Sequence, residues 1–193
     1  MATASLPLRR HQTGGATTRI ALFRGINVGK AKRIAMADLR LLFEALGYGN
    51  VRTLLNSGNV VFESRRKDPQ ADAGHIASAV AEHTGISANT LVLDATALDR
   101  IAEANPYTSE AGDPSRLLVG FFIAAGDLAP FEAMREAFPG ERFALGPEAC
   151  YLWCPEGILE SRIGSLLAGA KFRDRVTTRN WATVLKLQAM ARA

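Results

Sequence analysis

The chain has 193 residues, 48% of them hydrophobic, and a formal net charge of +4. That is enough apolar material for one large domain or two small ones, and no apolar run approaches the roughly 20 residues a membrane helix needs. The mild basic excess permits contact with anions or nucleic acid without requiring either.

Taken in order, residues 1–18 carry Ser, Thr, Gly and Pro but no apolar segment, so they do not read as a secretory signal. Met1 to Ala37 holds seven Arg or Lys and no Asp or Glu. A transit peptide shares that composition; a disordered bacterial leader over 1–18 is the simpler expectation. Arg19 to Arg24 reads as a mostly buried strand. The turn Arg24-Gly25-Ile26-Asn27-Val28-Gly29 follows, then the basic residues Lys30, Lys32 and Arg33. Met36, Leu39, Leu42, Phe43 and Leu46 have helical spacing, and Gly47 suits the helix end.

Val51 to Leu55 is expected as a second strand. Asn56-Ser57-Gly58-Asn59 is expected as a hairpin turn, with Gly58 at positive φ, and Val60 to Glu63 as the return strand. Asp68-Pro69 can cap a helix whose inner face is Ile76, Ala79, Val80 and His83, stopped by Gly85. Thr90 to Leu93 is a fourth strand. The order β-α-β-β-α-β is that of the ferredoxin-like split unit.

A helix from Thr96 to Ala104 stops at Asn105-Pro106, and 106–114 reads as a connector. The order then begins again. Leu117 to Ile123 is a strand, Asp127 caps a helix carrying Leu128, Phe131 and Met134, and Arg142–Leu145 with Cys150–Trp153 form a hairpin. Leu159, Ile163, Leu166 and Leu167 fit a helix, Val176 to Thr178 a closing strand, and a last helix starts near Asn180. The expected class is α+β: two ferredoxin-like (βαββαβ) subdomains with antiparallel sheets and an extra C-terminal helix. The boundaries are 19–105 for the N-terminal subdomain with its linking helix, and 115–193 for the C-terminal one.

In such a unit the strand order is 4-1-3-2, so the end of the first strand and the second-to-third hairpin share one edge. Arg24–Gly29 and Asn56–Asn59 should therefore be spatial neighbours. Short polar side chains and glycine-freed N–H groups there make an anion-binding concavity, with Arg24 as a planar donor for carboxylate or phosphate. On turn chemistry alone, Asn27 and Asn59 can equally serve neighbouring backbone. Asn180 suits a helix N-cap, where exposed N–H groups beside Arg179 can hold an anion; packing of Trp181 as core and pairing of Arg179 with a carboxylate is the plainer alternative.

The two turns, with Met36-Ala-Asp-Leu39, Val60-Val61-Phe62, Asn105-Pro106-Tyr107 and Val176-Thr177-Thr178-Arg179-Asn180-Trp181-Ala182-Thr183-Val184, resemble the signatures of the mostly bacterial domain-of-unknown-function family 1697. Ala182 stands where that pattern has a polar residue, often Asn. The resemblance covers roughly residues 19–190. It implies two ferredoxin-like subdomains and no activity. Its motif positions include Arg24, Asn27, Asn56, Ser57, Asn59, Arg179 and Asn180, the candidate ligand-binding set.

No metal site or cofactor motif is evident. His11 lies in the leader, and His75 and His83, eight apart on one helix, have no third ligand at metal spacing. Cys150 and Cys154, if on one strand, lie about 13 Å apart, too far for a disulfide, and read as buried reduced thiols of a cytoplasmic protein. There is no Walker loop, dinucleotide fingerprint or nucleophile elbow, and Ser57 has no evident base. Three functions stay open. The first is binding of a small anionic molecule, in which Arg24→Ala leaves folding nearly intact. The second is nucleic-acid binding through Arg65, Arg66, Lys67, Lys171, Arg173 and Arg175. The third is a structural or interaction module whose turns only join the halves.

Overall fold

The structure, a computed structural model, describes residues 15–27, 33–110, 112–123, 126 and 128–193. Most of the expected leader, the end of the first turn with Val28, Gly29, Lys30 and Lys32, and the expected cap Asp127 lie outside the described residues. The first half contains β1 (Thr17–Arg24), α1 (Met36–Ala45), β2 (Gly49–Leu54), β3 (Asn59–Ser64), α2 (Pro69–Thr84), β4 (Asn89–Asp94) and α3 (Ala95–Glu103). The second contains β5 (Leu117–Phe122), α4 (Ala129–Ala137), β6 (Arg142–Leu145), β7 (Ala149–Trp153), α5 (Arg162–Ala168), β8 (Val176–Asn180) and α6 (Trp181–Arg192).

Each half builds one four-stranded antiparallel sheet, ordered β2-β3-β1-β4 and β6-β7-β5-β8. The alternation of a strand explains why both faces of each sheet are apolar. In β1, Ala21 and Phe23 join a core beneath α1 and α2, whereas Ile20 and Leu22 join a second core shared by both halves. In β7, Cys150 and Leu152 face a core with α4 and α5, while Ala149 and Tyr151 face the shared one. That shared core also takes Leu98 and Ile101 from α3 and Trp181, Val184 and Leu187 from α6. The two sheets are thus joined through a common interior; burying each such large apolar side chain contributes about 1.5–3 kcal/mol.

Several local expectations are corrected. β1 begins at Thr17, inside the segment read as leader. The inner face of α2 is Asp72, Ala73, Ile76 and Val80, and His83 is exposed; the spacing 72, 76, 80 sets the buried stripe one turn earlier. Leu159 belongs to a separate 3-10 turn, Ile158–Glu160, and is 92% exposed. Asn59 is the first residue of β3 and fully buried, and Leu55 is left-handed at φ 57 in addition to Gly58, which takes the expected positive φ.

Candidate functional site

The two glycine-bearing turns do meet. The Phe23 amide donates to the Gly58 carbonyl at 2.9 Å, and the Asn27 side-chain amide donates to the Asn56 carbonyl at 2.8 Å. Asn27 also holds its own loop, donating to the Ile34 carbonyl and accepting from the Ile34 amide at 2.7 Å. Gly58 sits at φ +77, and a Cβ there would fall 2.5 Å from Ile26 Cδ1 and 2.8 Å from the Phe23 Cβ. Only glycine fits so close an approach at that φ.

The second half enters this corner. Alternation along β8 turns Val176 toward the core under α5 and leaves Thr177 and Arg179 opposite β5 residues of the shared core. The Arg179 guanidinium donates to Asn59 Oδ1, to the Phe23 carbonyl at 2.8 Å, and to the Ser57 and Gly58 carbonyls at 3.2 and 3.3 Å. It also reaches Thr177 Oγ1 and the Thr178 carbonyl. Asn59 is oriented for this by donating to the Leu54 carbonyl and Ser57 Oγ at 2.8 and 2.9 Å.

Arg24 makes the reciprocal contact. It shares the parity of Ile20 and Leu22, so it points at the second half. Its guanidinium donates to the carbonyls of Leu167, Ala168, Gly169 and Phe172 at 3.0 Å, and to that of Val176. Three of these acceptors end α5 or follow it, where a helix has no internal donors left. Asn89, paired with Arg24 across β1 and β4, adds a further bridge to the Arg173 carbonyl and Asp174 Oδ1.

Beside these contacts lies a cleft of about 760 Å³, lined by Phe23, Arg24, Gly25, Ile26, Ser57, Ser87, Asn89, Ala168, Gly169, Ala170, Arg173, Asp174, Thr177, Thr178 and Arg179. Its electrostatics are lopsided. Neither Arg24 nor Arg179 pairs with a carboxylate among the described residues. Burial lowers the Arg179 pKa to about 10. Burial, then the charge of Arg173, lower that of Arg24, and Asp174 partly opposes them. Among the described lining residues, three guanidinium groups thus stand against one carboxylate.

Of the candidate residues, Arg24, Ser57 and Arg179 line the cleft. Asn27 and Asn59 are committed to the turns, and Asn180 caps α6 by accepting from the Thr183 amide at 3.0 Å. Asn56 is exposed and contributes its carbonyl to Asn27. Sequence reasoning missed Ser87, Asn89, Asp174, Thr177 and Thr178. The signal was available, because the strand order 4-1-3-2 also brings the start of the fourth strand to the end of the first.

No local spacing or motif marks a second buried polar centre, which lies at the other end of β1. There Arg19 pairs with Asp72 and Asp94, and Asp72 accepts from Tyr48 Oη at 2.8 Å. Burial and that bond raise the Tyr48 pKa. Arg66 and His75 close the network, with Arg66 donating to His75 Nδ1 at 3.1 Å. Cys150 and Cys154 are buried and unpaired. Among the described residues, no group of three or more His, Cys, Asp or Glu could hold a metal ion.

Comparison with known proteins gives two findings. A family model described as a protein of unknown function, DUF1697, matches residues 16–151. The conserved bacterial protein SP0830 from Streptococcus pneumoniae has a similar structure, at TM-score 0.74 and 25% identity, over 92% of this chain and 99% of that one. No curated protein matches.

Proposed function

The chain belongs to DUF1697, a family of unknown function, and we propose that it binds a small anion in the cleft between its two halves. One observation carries this: a cleft of about 760 Å³ whose described lining sets Arg24, Arg173 and Arg179 against Asp174 alone. A buried guanidinium without a carboxylate is satisfied in its hydrogen bonds but not in its charge. The residual field falls on the open space, and mobile anions are the natural counter-charge. Direct donors to the ligand are then Arg173, which is exposed and makes no ion pair among the described residues, and the hydroxyls of Ser57 and Ser87. Arg24 and Arg179 act through their charge, since their terminal nitrogens are engaged by protein oxygens.

Thermal unfolding in a constant sodium chloride background, with low-millimolar sodium sulfate titrated in at matched ionic strength, tests the proposal, because the general stabilisation by excluded sulfate is small at such concentrations and does not saturate. Sulfate should raise the midpoint above chloride, because a ligand of the folded state stabilises it by mass action. Equal midpoints would remove the anion-binding role.

A second reading has its own observation: Arg24 and Arg179 tie the halves together through backbone carbonyls. On that reading the corner is a joint and the protein a scaffold, and sulfate has no effect beyond chloride. Nucleic-acid binding has less support. Arg65, Arg66 and Lys67 follow the far end of β3, about 17 Å along the strand from the cleft end at Asn59, so they do not form one patch with Lys171, Arg173 and Arg175.

The βαββαβ order of each half and its strand order support a ferredoxin-like description of both, with subdomains 19–105 and 115–193. No helix among the described residues is long and apolar enough to cross a membrane, and the unpaired buried thiols are in keeping with a cytoplasmic location.

A further inference from the structure

We infer that the anion is a phosphate monoester carried on a polyhydroxylated body, such as a sugar phosphate; this rests on the anion-binding role of the cleft. Three features of the wall carry it. The first is charge. Arg24, Arg173 and Arg179 less Asp174 leave a net of two positive charges on the described lining, and a phosphate monoester carries about −1.5 to −2 at neutral pH. A single carboxylate would balance only half of that.

The second is size. About 760 Å³ falls within the range of roughly 300–1,000 Å³ typical of small-molecule sites, far more than a bare tetrahedral oxyanion fills. The third is the chemistry of the remaining wall. Ser57, Ser87 and Thr178 offer hydroxyls, and the exposed Asp174 carboxylate can accept from ligand hydroxyls. The only aromatic among the described lining residues, Phe23, is 1% exposed and packs its ring against Phe43. Those residues therefore present no aromatic face for stacking a nucleobase. Hydroxyl-bearing carbon is the body this wall can match.

Isothermal titration of the full chain with inorganic phosphate, ribose 5-phosphate, AMP and ribose tests this. Ribose 5-phosphate should bind at least about tenfold tighter than inorganic phosphate, AMP no tighter than ribose 5-phosphate, and ribose undetectably. Thr178→Val should weaken ribose 5-phosphate by a larger factor than inorganic phosphate, because it removes a wall hydroxyl that only the polyhydroxylated body would use. Equal binding of phosphate and ribose 5-phosphate would overturn the inference and leave the anion cleft standing. Tighter binding of AMP would overturn it in favour of base recognition. Silence from all three anions would remove both the inference and the cleft's proposed role.

Discussion

β1 carries an arginine near each end, and the two are treated differently. Arg19, 1% exposed, meets two carboxylates, Asp72 and Asp94, together with the Arg66 carbonyl. Arg24 meets carbonyls only, as does Arg179 apart from one amide and one hydroxyl oxygen. All three have both terminal guanidinium nitrogens hydrogen-bonded, so satisfaction there does not separate them. Charge compensation does. At Arg19 positive and negative charge close on each other within one half. At the cleft, positive charge is held in place by dipoles and left unneutralised, which is costly for a joint and useful for a binding site.

The largest effect should come from breaking the compensated centre. Arg19→Met leaves Asp72 buried with its main partner removed, and loss of one member of a buried pair costs about 3–5 kcal/mol. Urea unfolding should show that loss, and the variant's remaining folded fraction should keep the full sulfate response. A sulfate response abolished along with Arg19 would mean the two ends of β1 are not independent.

Arg179→Met should cost less, about 2–3 kcal/mol, because stranded acceptors at Asn59 and Phe23 are offset by removal of an uncompensated buried charge. Arg24→Ala should follow at about 1–2 kcal/mol, since its guanidinium is only half-buried and water can take over some of the α5 carbonyls. Both variants should also shrink the sulfate response. The expectation that Arg24→Ala leaves folding nearly intact is therefore replaced by a measurable loss. Cost equal to that of Arg19→Met at either position would break the contrast, since carboxylate compensation would then not matter.

How much of this was readable in advance follows the same division. Strand order needed only element order, and element order needed only periodicity and turn residues, so the meeting of the Arg24 and Asn56–Asn59 turns could be derived. What filled the corner could not. A strand's parity says which side a residue faces, but the covering of both sheet faces became clear only with the shared core, which sends Arg24 and Arg179 toward each other's half. Asn59 and Asn27 looked like ligand donors because asparagine chemistry is the same whether its partner is a ligand or a neighbouring carbonyl. Asp72 went unnoticed because a carboxylate in the first turn of a helix is ordinarily a solvated dipole partner, and nothing local marks Arg19 as its mate.

A control on the second half comes from one of its two cysteines, Cys150. Burial pushes the Cys150 thiol up to about 12 from an ordinary value near 9. Below pH 9 folded and unfolded chains both keep the proton and the residue is silent. Above it the unfolded chain sheds the proton first, so stability should fall by about 1.4 kcal/mol per pH unit from this group until the folded value is reached. Cys150→Ala should flatten that part of the stability curve in urea unfolding between pH 9 and 10, while an unchanged slope would place the loss elsewhere. Because Cys150 lies in the core under α4 and α5 and not at the cleft, its substitution should leave the sulfate response untouched.

The smallest stability effect separates a joint from a site most sharply. Arg173 lines the cleft, is exposed, and makes no ion pair among the described residues. Its charge also works against Arg24. Arg173→Ala should therefore change the unfolding free energy in chloride by no more than about 0.5 kcal/mol, with relief of like-charge repulsion setting the sign toward stabilisation. The same substitution should remove most of the sulfate response, because the exposed guanidinium is the arginine at the cleft with donors open to an incoming anion. A cleft that serves only as a joint predicts the opposite pattern: no sulfate response to lose, and a variant indistinguishable from the parent in both salts.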